Sequence, residues 1–179
     1  MKNILLFSGS NSSKSVNQSL IVAISGLLEN ANVTVIDLRN FSMPFYSSET
    51  EQTEGIPENA VKLKQLIDQT DALVIAVPEH NGSIPAFFKN SMDWLSRVEK
   101  KYKILTNKAV FLLSASPFGG GGGSITHAET ILKRLGASIA GKIVVNKFHE
   151  QLQPVDGKFQ FKDELLLKEI SEITNRLMQ

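Results

Sequence analysis

Ala72-Leu73-Val74-Ile75-Ala76-Val77-Pro78-Glu79-His80-Asn81-Gly82-Ser83-Ile84-Pro85 is the stretch whose reading decides how this chain folds. Its first six residues are apolar without alternation, which describes a strand buried on both faces. Pro78 cannot donate to a ladder and ends the strand, while Gly82 supplies the positive φ of a sharp turn. After Pro85, the residues Phe87, Phe88, Met92, Trp94 and Leu95 recur at helical spacing, so a helix is predicted over Ala86 to Val98, with Pro85 in its first turn and Ser83 as its cap. A polar loop set between a central strand and a helix lies where open α/β sheets bind ligands.

The same unit recurs on either side. Ile4 to Phe7 is a short apolar strand, followed by Ser8-Gly9-Ser10 and the hydroxyl- and amide-rich run Asn11 to Asn17, and then by Leu20, Ile21, Ile24, Leu27 and Leu28 at helical period. That loop opens a helix, whose unpaired N–H groups and positive dipole end favour a phosphate dianion; serine hydroxyls, the Asn17 amide and Lys14 would add to it. The same residues also read as ordinary caps and solvated loop. Val33 to Leu38 is a second, β-branched strand, Arg39 to Pro57 a long polar connection carrying Phe41, Met43, Phe45 and Tyr46, and Glu58 to Thr70 a helix.

Downstream, Ala109 to Leu113 is a fourth strand leading to Ser114-Ala115-Ser116-Pro117-Phe118 and the five glycines Gly119 to Gly123. Five glycines carry a high entropy cost; a flexible surface loop and a backbone that must bend sharply or approach something closely stand as equal readings. Ile125 to Leu135 is a helix closed by Gly136, Ile143 to Val145 a fifth strand, and Leu165 to Leu177 a final helix, with an irregular polar segment at Phe148 to Phe161 turning at Gly157.

Strand and helix alternating five times specify an α/β fold: one domain over residues 1–179, a doubly wound five-stranded parallel sheet with helices on both faces. In the order 2-1-3-4-5 the loops after strands one, three and four converge on one crevice. The 179 residues contain no cysteine, which removes disulfides and thiolate chemistry and suits a reducing cytoplasm. No apolar run reaches the length of a membrane span, and Met1-Lys2-Asn3 leaves no room for a signal peptide. Nineteen basic and 18 acidic residues balance, so no global field argues for nucleic acid or an anionic membrane. A small molecule is the expected partner, in a cytoplasmic protein.

The crevice holds few groups that titrate near neutrality. Ser114 or Ser116 with His80 would be the parts of a hydrolase, but there is no G-x-S-x-G elbow. His80, His127 and His149 show no ligand spacing, so no metal is expected. Asp37 stands where a ribose-binding acid would lie, yet the first loop lacks the later glycines of a dinucleotide fingerprint. One phosphate on a Ser/Asn-rich loop, attached to a flat heteroaromatic body, describes flavin mononucleotide (FMN).

Gly9-Ser10 with Ser15 and Asn17, then Pro78 to Pro85 with Lys89-Asn90 and Asp93-Trp94, then Ser114-Ala115-Ser116-Pro117, together resemble the NAD(P)H-dependent FMN reductase family, flavodoxin-like quinone, chromate and azo-compound reductases. The likeness implies a flavodoxin-like sheet, FMN as cofactor, NADPH or NADH as co-substrate and a quinone-like compound or free flavin as acceptor. It places the phosphate on the first loop: Ser10, Ser15 and Asn17, with Gly9 and Val16 beside them. Relatives commonly carry arginine where this chain has Ser12, which puts more of that task on Lys14 and backbone donors. Pro78, Glu79, His80, Asn81, Gly82 and Ser83 would border the isoalloxazine, with His80 where tyrosine is common. Ser114, Ser116, Gly119 and Gly120 would flank it from the neighbouring strand. No side chain is expected to act as a catalytic nucleophile, because the flavin carries the chemistry. Relatives form homodimers or homotetramers. A non-enzymatic electron carrier of flavodoxin type is the alternative, against which the neutral charge counts.

Overall fold

The computed structural model describes residues 1–99 and 102–178. Five parallel strands, β1 (Lys2–Ser8), β2 (Ala31–Asp37), β3 (Ala72–Ala76), β4 (Ala109–Ala115) and β5 (Ser138–Val145), form one sheet in the order β2-β1-β3-β4-β5. The predicted doubly wound order is therefore the observed one. Helices α1 (Val16–Ser25) and α7 (Glu164–Met178) cover one face; α3 (Glu58–Asp68), α4 (Ala86–Val98) and α5 (Gly122–Arg134) cover the other.

The pleat divides each central strand between two cores. Ile4, Leu6, Val74, Phe111 and Leu113 meet Leu20, Ile21 and Ile24 of α1 and Ile170, Ile173 and Leu177 of α7. Leu5, Phe7, Leu73, Ile75, Val110 and Leu112 meet Leu63 and Ile67 of α3, Phe88 and Leu95 of α4, and Ala128 and Leu132 of α5. An unbroken apolar run is what a strand with two buried faces requires. Each fully buried aliphatic or aromatic side chain contributes about 1.5–3 kcal/mol.

Three segments differ from the sequence reading. β5 begins at Ser138 rather than Ile143, because it is an outer strand whose ladder to β4 carries Ser138, Gly141 and Lys142 as readily as apolar residues. The segment 148–161, expected to be irregular, is a short helix α6 (Phe148–Gln151) and an antiparallel hairpin of β6 (Leu152–Val155) and β7 (Lys158–Phe161). Asp156 and Gly157, both at positive φ, form its two-residue turn, so the turn at Gly157 is present but the strands around it carry too few apolar residues to announce themselves.

The connection 39–57 contains a 3₁₀ turn (Leu38–Phe41) and helix α2 (Ser48–Glu54), started by Ser47, whose hydroxyl accepts the Thr50 N–H at 3.0 Å. It is fixed to α4. The buried Trp94 indole donates to the Pro44 carbonyl at 2.7 Å and meets the Tyr46 ring edge-on at 5.1 Å, Asn90 Oδ1 accepts the Tyr46 N–H, and Arg97 pairs with Glu51. Phe41, Met43 and Tyr46 thus serve packing, while Phe45 is exposed.

α7 closes one core although it is the last element described, and its Ile173 side chain fills the space over Gly141 of β5. Ile173→Ala is expected to destabilise the protein by about 2–5 kcal/mol, read as a lower urea midpoint at unchanged slope.

Candidate functional site

At the carboxyl ends of β1, β3 and β4 the three loops meet around a cleft of about 270 Å³, lined by Ser10, Lys14, Ser15, Val16, Asn17, Pro78, Glu79, His80, Ala115, Ser116, Pro117 and Gly119. A larger hollow of about 570 Å³ lies between α4 and α5, walled by side chains such as Met92, Tyr102, Arg134 and Leu135 and by none of the three loops. Unlike that hollow, the cleft is lined by the start of a helix, with the first-turn residues Val16 and Asn17, which makes it the better site for a polar ligand.

The first loop is shaped by its own hydroxyls. Ser8, Ser10 and Ser12 each accept the N–H two residues ahead, from Ser10, Ser12 and Lys14 at 3.1–3.2 Å. Such turns replace the ladder where the strand ends, and each hydroxyl keeps its own hydrogen to donate. Ser15 caps α1 by accepting the Gln18 N–H at 3.3 Å, which leaves Val16 and Asn17 N–H in the unpaired first turn. Lys14 is exposed at the cleft and makes no ion pair among the described residues. A cation, hydroxyls and a helix dipole thus surround one point.

Asn17 serves differently from the sequence reading. Its amide is buried at 2% exposure, donates to the Ala115 carbonyl and accepts the Ala115 N–H, both at 2.8 Å, and so bolts α1 to the end of β4. Gly9 is equally structural: its N–H donates to Ala76, and a Cβ there would lie 2.7 Å from the Phe88 ring. Ser12 is exposed outside the cleft lining.

The central loop is a two-residue turn. His80 and Ser83 exchange backbone hydrogen bonds at 2.8 and 3.0 Å, with Asn81 and Gly82 at φ 52° and 76°, the Asn-Gly signature of a type I′ turn. This turn presents His80 to the cleft, while Asn81 and Gly82 stand exposed beyond it. Ser83 does not cap α4, because the two residues after it keep its hydroxyl away from the helix start; Pro85 takes the cap position without a side-chain bond, and Ser83 Oγ lies 2.8 Å from His127 Nδ1 on α5.

Glu79 joins this turn to the glycine loop. Its Oε2 accepts N–H groups from Gly121, Gly123 and Ser124 at 3.1, 2.7 and 3.2 Å, occupying the start of α5 as a bound anion would. Of the two readings of the five glycines, close approach holds. Gly121, at φ 109°, would set a Cβ 2.6 Å from Ser114 Oγ, and a Cβ on Gly123 would run into the Gly82 carbonyl. Gly119 and Gly122 meet no such limit, and Gly120, at φ 103°, lies behind Gly119 and outside the cleft lining.

Ser114 is fully buried and hydrogen-bonded to Ser124 Oγ at 3.2 Å, so it is not in the cleft. β4 runs two residues past the predicted end at Leu113, which turns Ser114 toward α5 and brings Ala115 and Pro117, absent from the sequence-derived set, to the lining. Counting the β4 alternation onward to Ala115 would have found this. Ser116 faces the cleft and folds its own turn, accepting Phe118 and Gly119 N–H and donating to the Gly119 carbonyl.

Two helix starts therefore face the crevice, and only that of α1 is open to an anion. That matches one phosphate and not a pyrophosphate. Asp37, the remaining acid of a dinucleotide reading, is spent on Arg39, whose side-chain hydrogen bonds hold its carboxyl below the usual carboxylate range. Among the described residues no group of side chains has the makings of a metal site. Asn17→Ala would leave two buried backbone groups of Ala115 without partners, and is expected to cost about 2–4 kcal/mol, measured by thermal unfolding of the flavin-free protein.

Comparison with known proteins agrees with this geometry. A quinone reductase of Escherichia coli K12 is 34% identical over 123 residues, 68% of this chain and 61% of that protein. An NADPH azoreductase of Bacillus sp. strain OY1-2 is 34% identical over 122 residues, 68% of this chain and 64% of that protein. The chain thus spans somewhat less than two thirds of either relative. In fold it is similar to a flavoenzyme NAD(P)H:(acceptor) oxidoreductase from Paracoccus denitrificans, with a TM-score of 0.79, 22% identity and coverage of 99% of this chain and 95% of that one. The sequence profile of NADPH-dependent FMN reductases matches residues 2–150, which include all three cleft loops, and the chain belongs to that family of flavin-dependent oxidoreductases.

Proposed function

We propose that this protein is an NAD(P)H-dependent reductase that holds FMN in the cleft and passes electrons to a small acceptor, a quinone-like compound or free flavin. The observation that carries the reading is the pair of helix starts, one filled by Glu79 and one left open beside Lys14. Lys14, the Val16 and Asn17 N–H groups and the hydroxyls of Ser10 and Ser15 would hold the phosphate. The His80–Ser83 turn on one side and Ala115 to Gly119 on the other would orient the ring. When bound, FMN supplies the redox chemistry, taking hydride from the nicotinamide and delivering electrons to the acceptor.

The residues around it have three tasks: to bind, to orient, and to set the electrostatics of the ring through backbone dipoles. No acid, base or nucleophile of the chain is required. A flavodoxin-type carrier is the less favoured reading, since such a carrier presents a charged face to protein partners and this chain has a formal charge of +1. Ile84, Ala86 and Ile131 line a shallow, largely apolar hollow between the turn and α5, which suits a contact between copies in a homodimer or homotetramer. The apolar face of α4 itself is mostly inward, with Phe88, Met92 and Trp94 buried. Among the described residues no helix is long and apolar enough to cross a membrane, and cysteine is absent; both accord with a cytoplasmic location.

Purified protein is expected to be yellow or to turn so with FMN, and to oxidise NADPH or NADH only when a quinone or flavin acceptor is present; absence of acceptor-dependent turnover refutes the enzyme reading. Lys14→Ala is expected to weaken FMN binding about tenfold, measured by quenching of flavin fluorescence, because it removes the one cationic side chain at the phosphate position.

A further inference from the structure

Glu79 lies in the loop after β3, yet all three of its hydrogen bonds reach across to the start of α5. One oxygen, Oε2, takes all of them, and Oε1 accepts none among the described residues. The same loops touch again where Gly123 abuts the Gly82 carbonyl, a contact that only glycine allows. The first of the glycines, Gly119, lines the cleft, and the others lead from it into α5. Gly120 and Gly121 both take positive φ, where glycine has the most freedom to lose, so this loop needs a tether to stay in one shape.

Among the described residues the Glu79 carboxylate is the side chain that accepts the N–H groups of Gly121 and Gly123. The Ser116 turn fixes only the loop's first residues, up to Gly119. Ser124 Oγ, bonded to the Val77 carbonyl at 3.0 Å, anchors α5 below the cleft. Between these two fixed points α5 itself holds the Gly121 and Gly122 carbonyls, through the Ser124 and Thr126 hydroxyls, while the N–H groups of Gly121 and Gly123 are taken by the carboxylate. A charged acceptor taking several N–H groups at a helix start is a strong form of hydrogen bonding, and its loss would release the loop without touching either core.

We propose that Glu79 is a positioning residue for the flavin, acting through the glycine loop: its Oε2 stands in for an anion at the start of α5 and holds the segment from Gly121 to Ser124, on which the cleft-lining turn at Ser116 to Gly119 is carried. The inference rests on the FMN reading given above. It separates the role of the Glu79 side chain from that of its neighbour His80, which faces the cleft itself. It also states what the carboxylate is needed for, an oxygen at one point and not a charge on the ring. Glutamine can place its amide oxygen at the Oε2 position and its nitrogen on the side where Oε1 has no partner, so Glu79→Gln should rescue what Glu79→Ala loses.

The test compares wild type, E79A and E79Q in amide exchange of Gly121, Gly123 and Ser124 in the flavin-free protein, in FMN dissociation constant, and in thermal unfolding. In E79A those amides should exchange at least about tenfold faster and FMN should bind about tenfold more weakly, with the unfolding midpoint lowered by only about 2–5 °C; E79Q should stay within about threefold of wild type in exchange and in FMN binding. E79A that binds FMN as wild type does, or E79Q that fails as E79A does, overturns the proposal. Should E79A not fold, Gly123→Ala opens the same gap from the other side, and unaltered FMN affinity in that variant overturns it equally. Wild-type protein that takes up no FMN refutes the functional reading, and this inference with it, whereas normal wild-type binding with any of the failures above refutes this inference alone.

Discussion

The hydrogen bonds between the Asn17 side chain and the Ala115 backbone are what the rest of the site depends on, since they tie the start of α1 to the end of β4 across 98 residues of sequence. A parallel sheet leaves the last residues of its strands without ladder partners, and in a buried place every such N–H and C=O must find one. Asn17 meets that need for Ala115 and, in the same geometry, fixes where the unpaired N–H groups of α1 point. The open end of the helix is thus placed by a structural bond within the chain.

The other two loops follow the same logic with different chemistry. Glu79 fills the start of α5, and Ser124, Ser114 and the Val77 carbonyl form a buried polar cluster below it, so that no buried side-chain polar atom is left unpaired among the described residues. With the start of α5 closed by Glu79 and that of α1 open, only one of the two helix dipoles at the cleft is left for an anion.

Much of this could be read from residue order alone. The run Ala72 to Val77 and its counterparts in β1 and β4 have no alternation, and only a two-sided burial explains that; the order of the sheet and the meeting of the three loops followed. What stayed hidden were contacts across the crevice. Nothing in the spacing of Asn17 or Glu79 tells that one amide serves Ala115 or that one carboxylate serves Gly123, because such pairings depend on the distance between strands and not on sequence separation. Ser114 was misplaced for a local reason, a strand end set two residues early, which turned its hydroxyl to the wrong side. The hairpin β6–β7 was missed because its strands are only four residues long, so that the alternation of Phe159 and Phe161 with Lys158 and Gln160 is too brief to register as a strand.

The placement of α7 bears on how the chain comes to be made. α1 covers the face of β1 and β3 that holds Ile4, Leu6 and Val74, whereas the same face of β4 and β5, with Phe111, Leu113 and Ile143, waits for Ile170, Ile173 and Leu177 to seal it. While the intervening residues are still being added, that half of the face lacks its helix cover and its apolar side chains stay open to water. The core on this face therefore closes only after Glu164–Met178 has been made, a long way downstream of the strands it covers.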